Sequence, residues 1–328
     1  VKLGLALHCD IEQHNYFARK NYFYPDLPKG YQVSQHTTPI CKNGAVKITV
    51  GETERNIRLN RIHIEEDAGK SLHDVDENYT SIDLNRAGVP LLEIVSEPDI
   101  HSSDEAFAYI TELRKLVTWL GICDGNMEEG SMRCDANISI RLKGESKLGT
   151  RVEVKNLNSI RNVKRAIDVE VQRLIGITER GEKIIQETRS YDADNNITFS
   201  LRTKEDADDY RYFPEPDLTP FKITDEYLAE IKSALPVLPD ALKKQYIEKL
   251  HLPEYDASVI CEDKELAGYF EEVIPHCKNY KAVANWLLGP VKSHLNDSNT
   301  GYNSFVLSPV KLAALIQIVD DGKLSFGM

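Results

Sequence analysis

The sequence predicts an α+β fold: a strand-rich region over residues 1–222, with antiparallel sheets and packed helices, then an all-α region over 223–328. Three observations carry that reading. Apolar and polar residues alternate with period two over 45–50, 55–66, 133–141 and 151–155, the spacing of half-buried strands. Beyond Thr224 the spacing changes to helical stripes over 224–234, 240–250, 263–273, 281–295 and 309–321, broken by prolines and Asn/Asp/Ser clusters. A chain of 328 residues is also long enough for two ordinary domains.

Residues 1–7 read as the end of a helix already under way, so residues are expected before them; the C-terminal DDGKLSFGM stops as abruptly. Residues 19–30 hold two prolines and a glycine around Tyr22, Phe23 and Tyr24, which predicts a rigid loop. Its aromatics beside Arg19, Lys20 and Lys29 suit base stacking with phosphate contacts, or a plain aromatic anchor with solvated lysines. Residues 45–50 and 55–66 flank Gly51 as a hairpin. Apolar parity changes between Leu59 and Ile62, which predicts a bulge near Asn60. Residues 66–69 read as a turn before Lys70, and 85–90 connect two apolar strands.

Ser102 and Glu105 form a capping box. The helix behind it carries Phe107, Ile110, Leu113, Leu116, Val117 and Leu120 as its stripe and ends at Gly121. In 133–141, Cys134, Ala136, Ile138 and Ile140 face one way; Arg133, Asp135, Asn137, Ser139 and Arg141 face the other. In 151–155, Val152 and Val154 oppose Arg151, Glu153 and Lys155. Paired as a hairpin, these strands present a face of dense, alternating charge. Such a face suits a phosphate and metal site, and equally a solvated sheet surface. Asn158 or Ser159 caps the next helix, with Ile160, Val163, Ile167, Val171 and Leu174 on its apolar side and Arg161, Lys164 and Arg165 near its start. Strands resume over 184–191 and 197–202, and 208–217 form a second rigid aromatic loop.

Composition narrows the function classes. Hydrophobic residues make up 41% and charged residues 28%, and no apolar run approaches the roughly 20 residues of a membrane span. The net charge of −12 argues against a general nucleic-acid binder but leaves room for a local basic patch. The six cysteines (9, 41, 123, 134, 261, 277) form no CxxC pair, which argues against structural zinc and for reduced thiols. No Walker A loop, GxGxxG or GxSxG is present. A nucleotide would therefore be met by carboxylate-held metal and strand-borne cations.

The stretch 61–98 holds the first candidate site. On one strand Ile62, Ile64 and Glu66 share a face; on another Leu91, Glu93 and Val95 do. A carboxylate aimed with core residues is costly unless an arginine (Arg61 or Arg86), a proton or a divalent metal compensates it. Glu66 and Glu93 are thus paired as candidate metal ligands, against the plainer reading of solvated acids at strand ends.

These residues also carry a resemblance. IDLNRAGVPLLEIVSEP (82–98) resembles the signature of the GatB family, the B subunits of the tRNA-dependent amidotransferase GatCAB. RKNYFYPDLPKGYQ (19–32), HIEEDAGK (63–70), MEEGSMRCDANIS (127–139), EVKNLNS (153–159), QETRSYD (186–192) and DDYRYFPEPDL (208–218) look like further blocks of that family, in its order. The resemblance implies a β-rich cradle with a kinase-like site, a helical domain, and a tRNA-binding tail that is missing here. It implies phosphorylation of the side-chain carboxyl of Glu on tRNA(Gln) or Asp on tRNA(Asn) with ATP and Mg²⁺. Ammonia from the glutaminase subunit GatA then forms the amide, with GatC clamping both subunits.

The family's metal is held by glutamates, matched here to Glu66 and Glu93, and by a histidine in an N-terminal GLEVH-like strand. That strand does not occur here, and neither His8 nor His63 matches its histidine. Carried over with them are Lys70, Arg133 and Asp135 as catalytic candidates, and Lys20, Tyr22, Glu128, Asn137, Lys155 and Asn156 as cofactor-binding ones. The expected location is the bacterial cytoplasm, ahead of the mitochondrial matrix. A non-catalytic tRNA-docking scaffold for GatA is the alternative function, and a stand-alone metal-dependent hydrolase a weaker third.

Overall fold

The computed structural model describes residues 1–72, 75–76, 78–203 and 210–327, and the fold is α+β. Its centre is the strand Thr53–Glu66, which pairs antiparallel with Ala45–Val50, Cys41–Lys42 and Pro90–Ser96; Asp10–Ile11 completes the sheet beside Cys41–Lys42. Burial alternates along it as the period-two pattern requires, with Ile57 and Leu59 inside and their neighbours out. Val95 stands opposite Arg61 but Ser96 opposite Leu59, so Asn60 is the extra residue of a bulge. The bulge changes which residues face inward: Ile57 and Leu59 before it, Ile62 after it.

A second sheet orders Ala136–Ile138, Val152–Lys155, Glu187–Asp192 and Ile197–Thr203. Val152–Lys155 and Glu187–Asp192 run parallel, so the chain must cross over between them, and helix Ile160–Glu179 is that crossover. Ser159 caps the helix by accepting from the Asn162 amide. Its buried residues are Ile160, Val163, Ala166, Glu170 and Leu174, so a glutamate lies where the stripe called for Ile167 and Val171. Only 136–138 of the expected strand 133–141 pairs, and the Arg133 side chain ahead of it is turned onto Asp67. Phe107 is 41% exposed, while Ala106 and Tyr109 are buried, so helix Ser103–Trp119 presents a slightly rotated face.

A small sheet joins Phe213–Pro214, Ala18–Asn21 and Tyr31–Ser34 and so brings the two aromatic loops together. The second loop is described from Tyr210; Asp208 and Asp209 lie outside the described residues. The chain divides into two compact units, Val1–Arg114 with Cys123–Leu235, and Lys115–Ile122 with Pro236–Met328. The division expected at 222/223 thus falls later. Helix Asp225–Ser233 stays with the first unit because it packs on helix Lys2–Ala6, and Phe221–Lys222 pairs with His14–Asn15.

The second unit is helical. Phe270, Val283, Leu287, Leu312 and Ile316 are fully buried at its centre. Its short helix Glu254–Ile260 had no legible stripe. Within 281–295, Gly289 and Pro290 turn Leu287–Val291 into a π-helical segment. No helix among the described residues is long and apolar enough to cross a membrane.

Asp99 ties the strand edge to the chain before helix Ser103–Trp119. It accepts from the Arg58 backbone amide at 3.1 Å, from Nε at 2.8 Å and from Nη2 at 2.7 Å. These bonds hold its pKa down at about 2. A depressed acid stabilises the fold above its ordinary pKa and loses that contribution as pH falls. Wild type should therefore lose stability between about pH 4 and pH 2 in part through Asp99, and Asp99→Asn should flatten that limb of a denaturation-versus-pH series. An identical limb in the variant would remove Asp99 as its source.

Candidate active site

Strand register decides which acids meet. Glu93 stands opposite His63 and Leu91 opposite Glu65, so His63, Glu65 and Glu93 share one face. Nε2 of His63 lies 3.5 Å from Glu65 Oε2 and 3.6 Å from Glu93 Oε2. Among the described residues this trio is the group whose donor atoms could hold a metal ion, all within 4.8 Å of one another. Nδ1 of His63 accepts from Arg61 Nε at 3.4 Å. Arginine only donates, so Nδ1 is the acceptor in that contact, and Nε2 is the ring nitrogen that faces the two carboxylates. His63 is buried, Glu65 nearly so, and the Glu93 side chain is 46% exposed. The trio has a floor and an open side.

The trio lines a pocket of about 170 Å³ with Lys20, Ser34, Gln35, His36, Arg61 and Tyr212. Lys20 Nζ sits 4.8 Å from the centre of the Tyr210 ring and 5.6 Å from that of Tyr22, a cation–π arrangement that fixes a flexible ammonium. His36 stacks on Tyr212 with centroids 4.1 Å apart. Burial, then the charges of Tyr210, Glu65 and Glu93, push the Tyr212 hydroxyl up to about 12, so it stays a donor. Gln35 Oε1 accepts from the amides of Ile40 and Ile64 and pins the pocket wall to the central strand.

The pairing of Glu66 with Glu93 needs correction. Glu66 points to the opposite face, where it takes the Lys29 ammonium and, at 2.7 Å, the Val33 amide. Those bonds satisfy it as a clip onto strand Tyr31–Ser34. Sharing a face with Ile62 and Ile64 does not decide which of the two adjacent glutamates meets Glu93; cross-strand register does, and it brings Glu65 there. His63, set aside for not matching the family's histidine, lies beside both pocket acids.

The other candidates scatter. Lys20 is in the pocket, and the Tyr22 hydroxyl behind it donates to Gln32 Oε1 at 3.2 Å. Lys155 pairs with Asp135, and with Glu153 at 3.6 Å, on the polar face of the second sheet. Burial opposes its charge, yet Asp135 and Glu153 together keep the Lys155 pKa above the ordinary lysine value. Asn137 is exposed opposite Glu153 in the same sheet. Asn156 sits at φ +65° and donates to the Tyr191 carbonyl at 3.0 Å, a structural role. Lys70 and Glu128 are exposed. Arg133 belongs to a separate cluster on Asp67.

Comparison with known proteins shows the family. Residues 1–229 match the family model of the GatB/GatE catalytic domain, and residues 268–326 match that of the GatB domain. Over 325 residues the chain is 51% identical to the B subunit of the aspartyl/glutamyl-tRNA(Asn/Gln) amidotransferase of Chlorobium phaeobacteroides (strain BS1), covering 99% of this chain and 68% of that one. It is 52% identical to the corresponding protein of Prosthecochloris aestuarii, over 99% of this chain and 67% of the relative. For that of Syntrophotalea carbinolica the figures are 49%, 99% and 68%. The chain thus spans about two thirds of the length of these relatives.

Proposed function

Because this chain belongs to the GatB/GatE catalytic-domain family, we propose that it works as the B subunit of a tRNA-dependent amidotransferase, alongside other subunits, and activates the side-chain carboxyl of a misacylated tRNA. The observation that carries this reading is the pocket that gathers Glu65, Glu93 and His63 with Lys20 and Arg61. The co-substrate is ATP with Mg²⁺. Glutamate on tRNA(Gln) or aspartate on tRNA(Asn) is the acceptor, and a glutaminase subunit of the GatA type, clamped by a GatC-type subunit, supplies ammonia. This assigns the chain to the ATP-dependent carbon–nitrogen ligases of the cytoplasm.

The donor set suits Mg²⁺, which binds through one or two carboxylates and keeps waters and substrate phosphates as its other ligands. Glu65 and Glu93 would hold it. When bound, the ion supplies charge neutralisation for the transferring phosphoryl group. His63 lies against both acids, 3.5 and 3.6 Å away. Lys20 and Arg61 place positive charge along the wall where negative charge develops on the phosphoryl oxygens. A carboxylate oxygen of the aminoacyl group takes the γ-phosphoryl, with ADP leaving. Ammonia then attacks the acyl carbon, phosphate leaves, and the amide results.

The test is phosphate release from ATP by the complete B subunit assembled with its partner subunits, with Glu-tRNA(Gln) and Asp-tRNA(Asn) offered separately. Release that requires a misacylated tRNA, and vanishes in Glu93→Gln, supports the reading. Release that ignores tRNA, or survives that change, overturns it.

A further inference from the structure

Most polar groups of the pocket are committed to partners. Gln35 Nε2 donates to Asn15 Oδ1 at 3.1 Å, and its Oε1 takes two backbone amides. Arg61 donates to His63 Nδ1 and to Asn60 Oδ1. The Lys20 ammonium lies over the Tyr22 and Tyr210 rings. Tyr212 differs. Its ring lines the same pocket as Lys20, Glu65 and Glu93, but its hydroxyl has no hydrogen-bond partner among the described residues.

The ring is nevertheless held firmly. His36 stacks on it at 4.1 Å with the planes 15° apart, and Tyr210 meets it edge-on at 6.2 Å. The residue before it, Arg211, sits at φ +43°, a left-handed backbone that side chains disfavour. Asn21 Nδ2 holds that turn by donating to the Arg211 carbonyl at 2.7 Å and the Tyr210 carbonyl at 3.3 Å. On the far side Phe213 pairs with Arg19 in the small sheet. Burial first, then the charges of Tyr210, Glu65 and Glu93, keep the hydroxyl protonated. The pocket thus holds a fixed, neutral O–H donor that no protein group occupies.

The two steps of the reaction ask different things of such a donor. In the first, charge leaves the substrate carboxylate for the phosphoryl group, so a donor on that carboxylate favours the starting state. Lys20 and Arg61 suit that step, because they are cations facing the phosphoryl oxygens. In the second, charge builds on the acyl oxygen, and a pre-oriented neutral donor strengthens as it builds.

We propose that Tyr212, placed by its stack on His36, is a catalytic residue of the amide-forming step and donates its hydroxyl proton in a hydrogen bond to the acyl oxygen. The proposal rests on the carboxyl-activation reading above. Ammonia adds its lone pair to the acyl carbon, and the carbonyl electron pair moves onto the oxygen that Tyr212 faces. The carbon–oxygen bond to phosphate then breaks with its electron pair, the carbonyl reforms, and one nitrogen proton passes to the departing phosphate. Tyr212 keeps its own proton throughout.

The experiment uses the complete B subunit assembled with its partner subunits, as wild type and as Tyr212→Phe, which keeps the ring and the stack. A single turnover is followed with misacylated tRNA and ATP radiolabelled at the γ-phosphate. Ammonium chloride supplies the nitrogen, so glutaminase activity does not enter. The amide is expected to form about 100-fold more slowly in the variant, with label accumulating on the tRNA as acyl phosphate. First-turnover ADP formation and Mn²⁺ affinity should stay within about threefold of wild type, since neither uses the hydroxyl. Amide formation at the wild-type rate overturns the proposal, and so does an equal fall in both steps. A wild type that forms no ADP in response to misacylated tRNA overturns the activation reading, and the proposal with it. Should Tyr212→Phe lose Mn²⁺ affinity, His36→Ala takes its place, because it keeps the hydroxyl and removes the stack. An amide step slowed by about tenfold or more with ADP formation unchanged then supports the assignment, and an unchanged amide step overturns it.

Discussion

Glu65→Gln and Glu93→Gln are each expected to weaken Mn²⁺ binding about 100-fold or more, since losing even an outer partner of a metal ligand costs about 10- to 100-fold. Transamidation by the assembled enzyme should fall by a similar factor. Glu66→Gln, one residue away, should leave Mn²⁺ affinity within about threefold of wild type, because no ligand is removed. Its glutamine still accepts from the Val33 amide, and the lost ion pair with the 41%-exposed Lys29 is worth roughly 0–1 kcal/mol. The three variants differ by one oxygen-for-nitrogen exchange each, so volume and packing are held constant. Titration of Mn²⁺ followed by electron paramagnetic resonance reads all three. The reverse order, with Glu66 essential and Glu65 dispensable, would mean that strand register does not set the ligands.

Glu170→Ala should destabilise the first unit by about 3–5 kcal/mol, the cost of breaking a buried ion network from one side. Glu170 is fully buried. It accepts from Arg173 Nε and Nη2 and from the Thr198 hydroxyl at 2.7 Å, with Arg189 at 3.5 Å. Arg189 in turn reaches Glu187 and the Thr198 carbonyl. Removing the acid leaves two cations against one carboxylate beneath helix Ile160–Glu179 and opens a cavity beside Leu174. Glu170→Gln keeps the volume and an acceptor for Thr198 and should cost less. Urea denaturation followed by circular dichroism measures both. A midpoint for Glu170→Ala within error of wild type would show that the network contributes nothing net.

Much is legible in the sequence alone. The hairpin around Gly51, the bulge at Asn60, the Ser159 cap and most of the helices beyond Thr224 follow from local patterns: parity, turn residues and capping chemistry. Each depends on neighbours within about one helical turn, and that is what a linear pattern encodes. The inward and outward faces of 136–138 and 152–155 follow for the same reason, although the first strand is shorter than its alternation. Family membership is legible too, through blocks spread over the whole chain.

What the tertiary structure decided depends on partners far apart in sequence. Alternation along 61–66 defines two faces but does not say which one meets Glu93; register across the strand pair does, and it selects Glu65 and His63 over Glu66. A stripe of isoleucine and valine cannot reveal that Glu170 is the residue turned inward, because the compensating Arg189 and Thr198 come from strands 19 and 28 residues on. The same holds for Asp67, whose charge is matched from positions 86 and 133. By itself the sequence determined the elements, their order and the family. Only the fold decided which charges meet, because cross-strand register and burial are set by packing over the whole sheet.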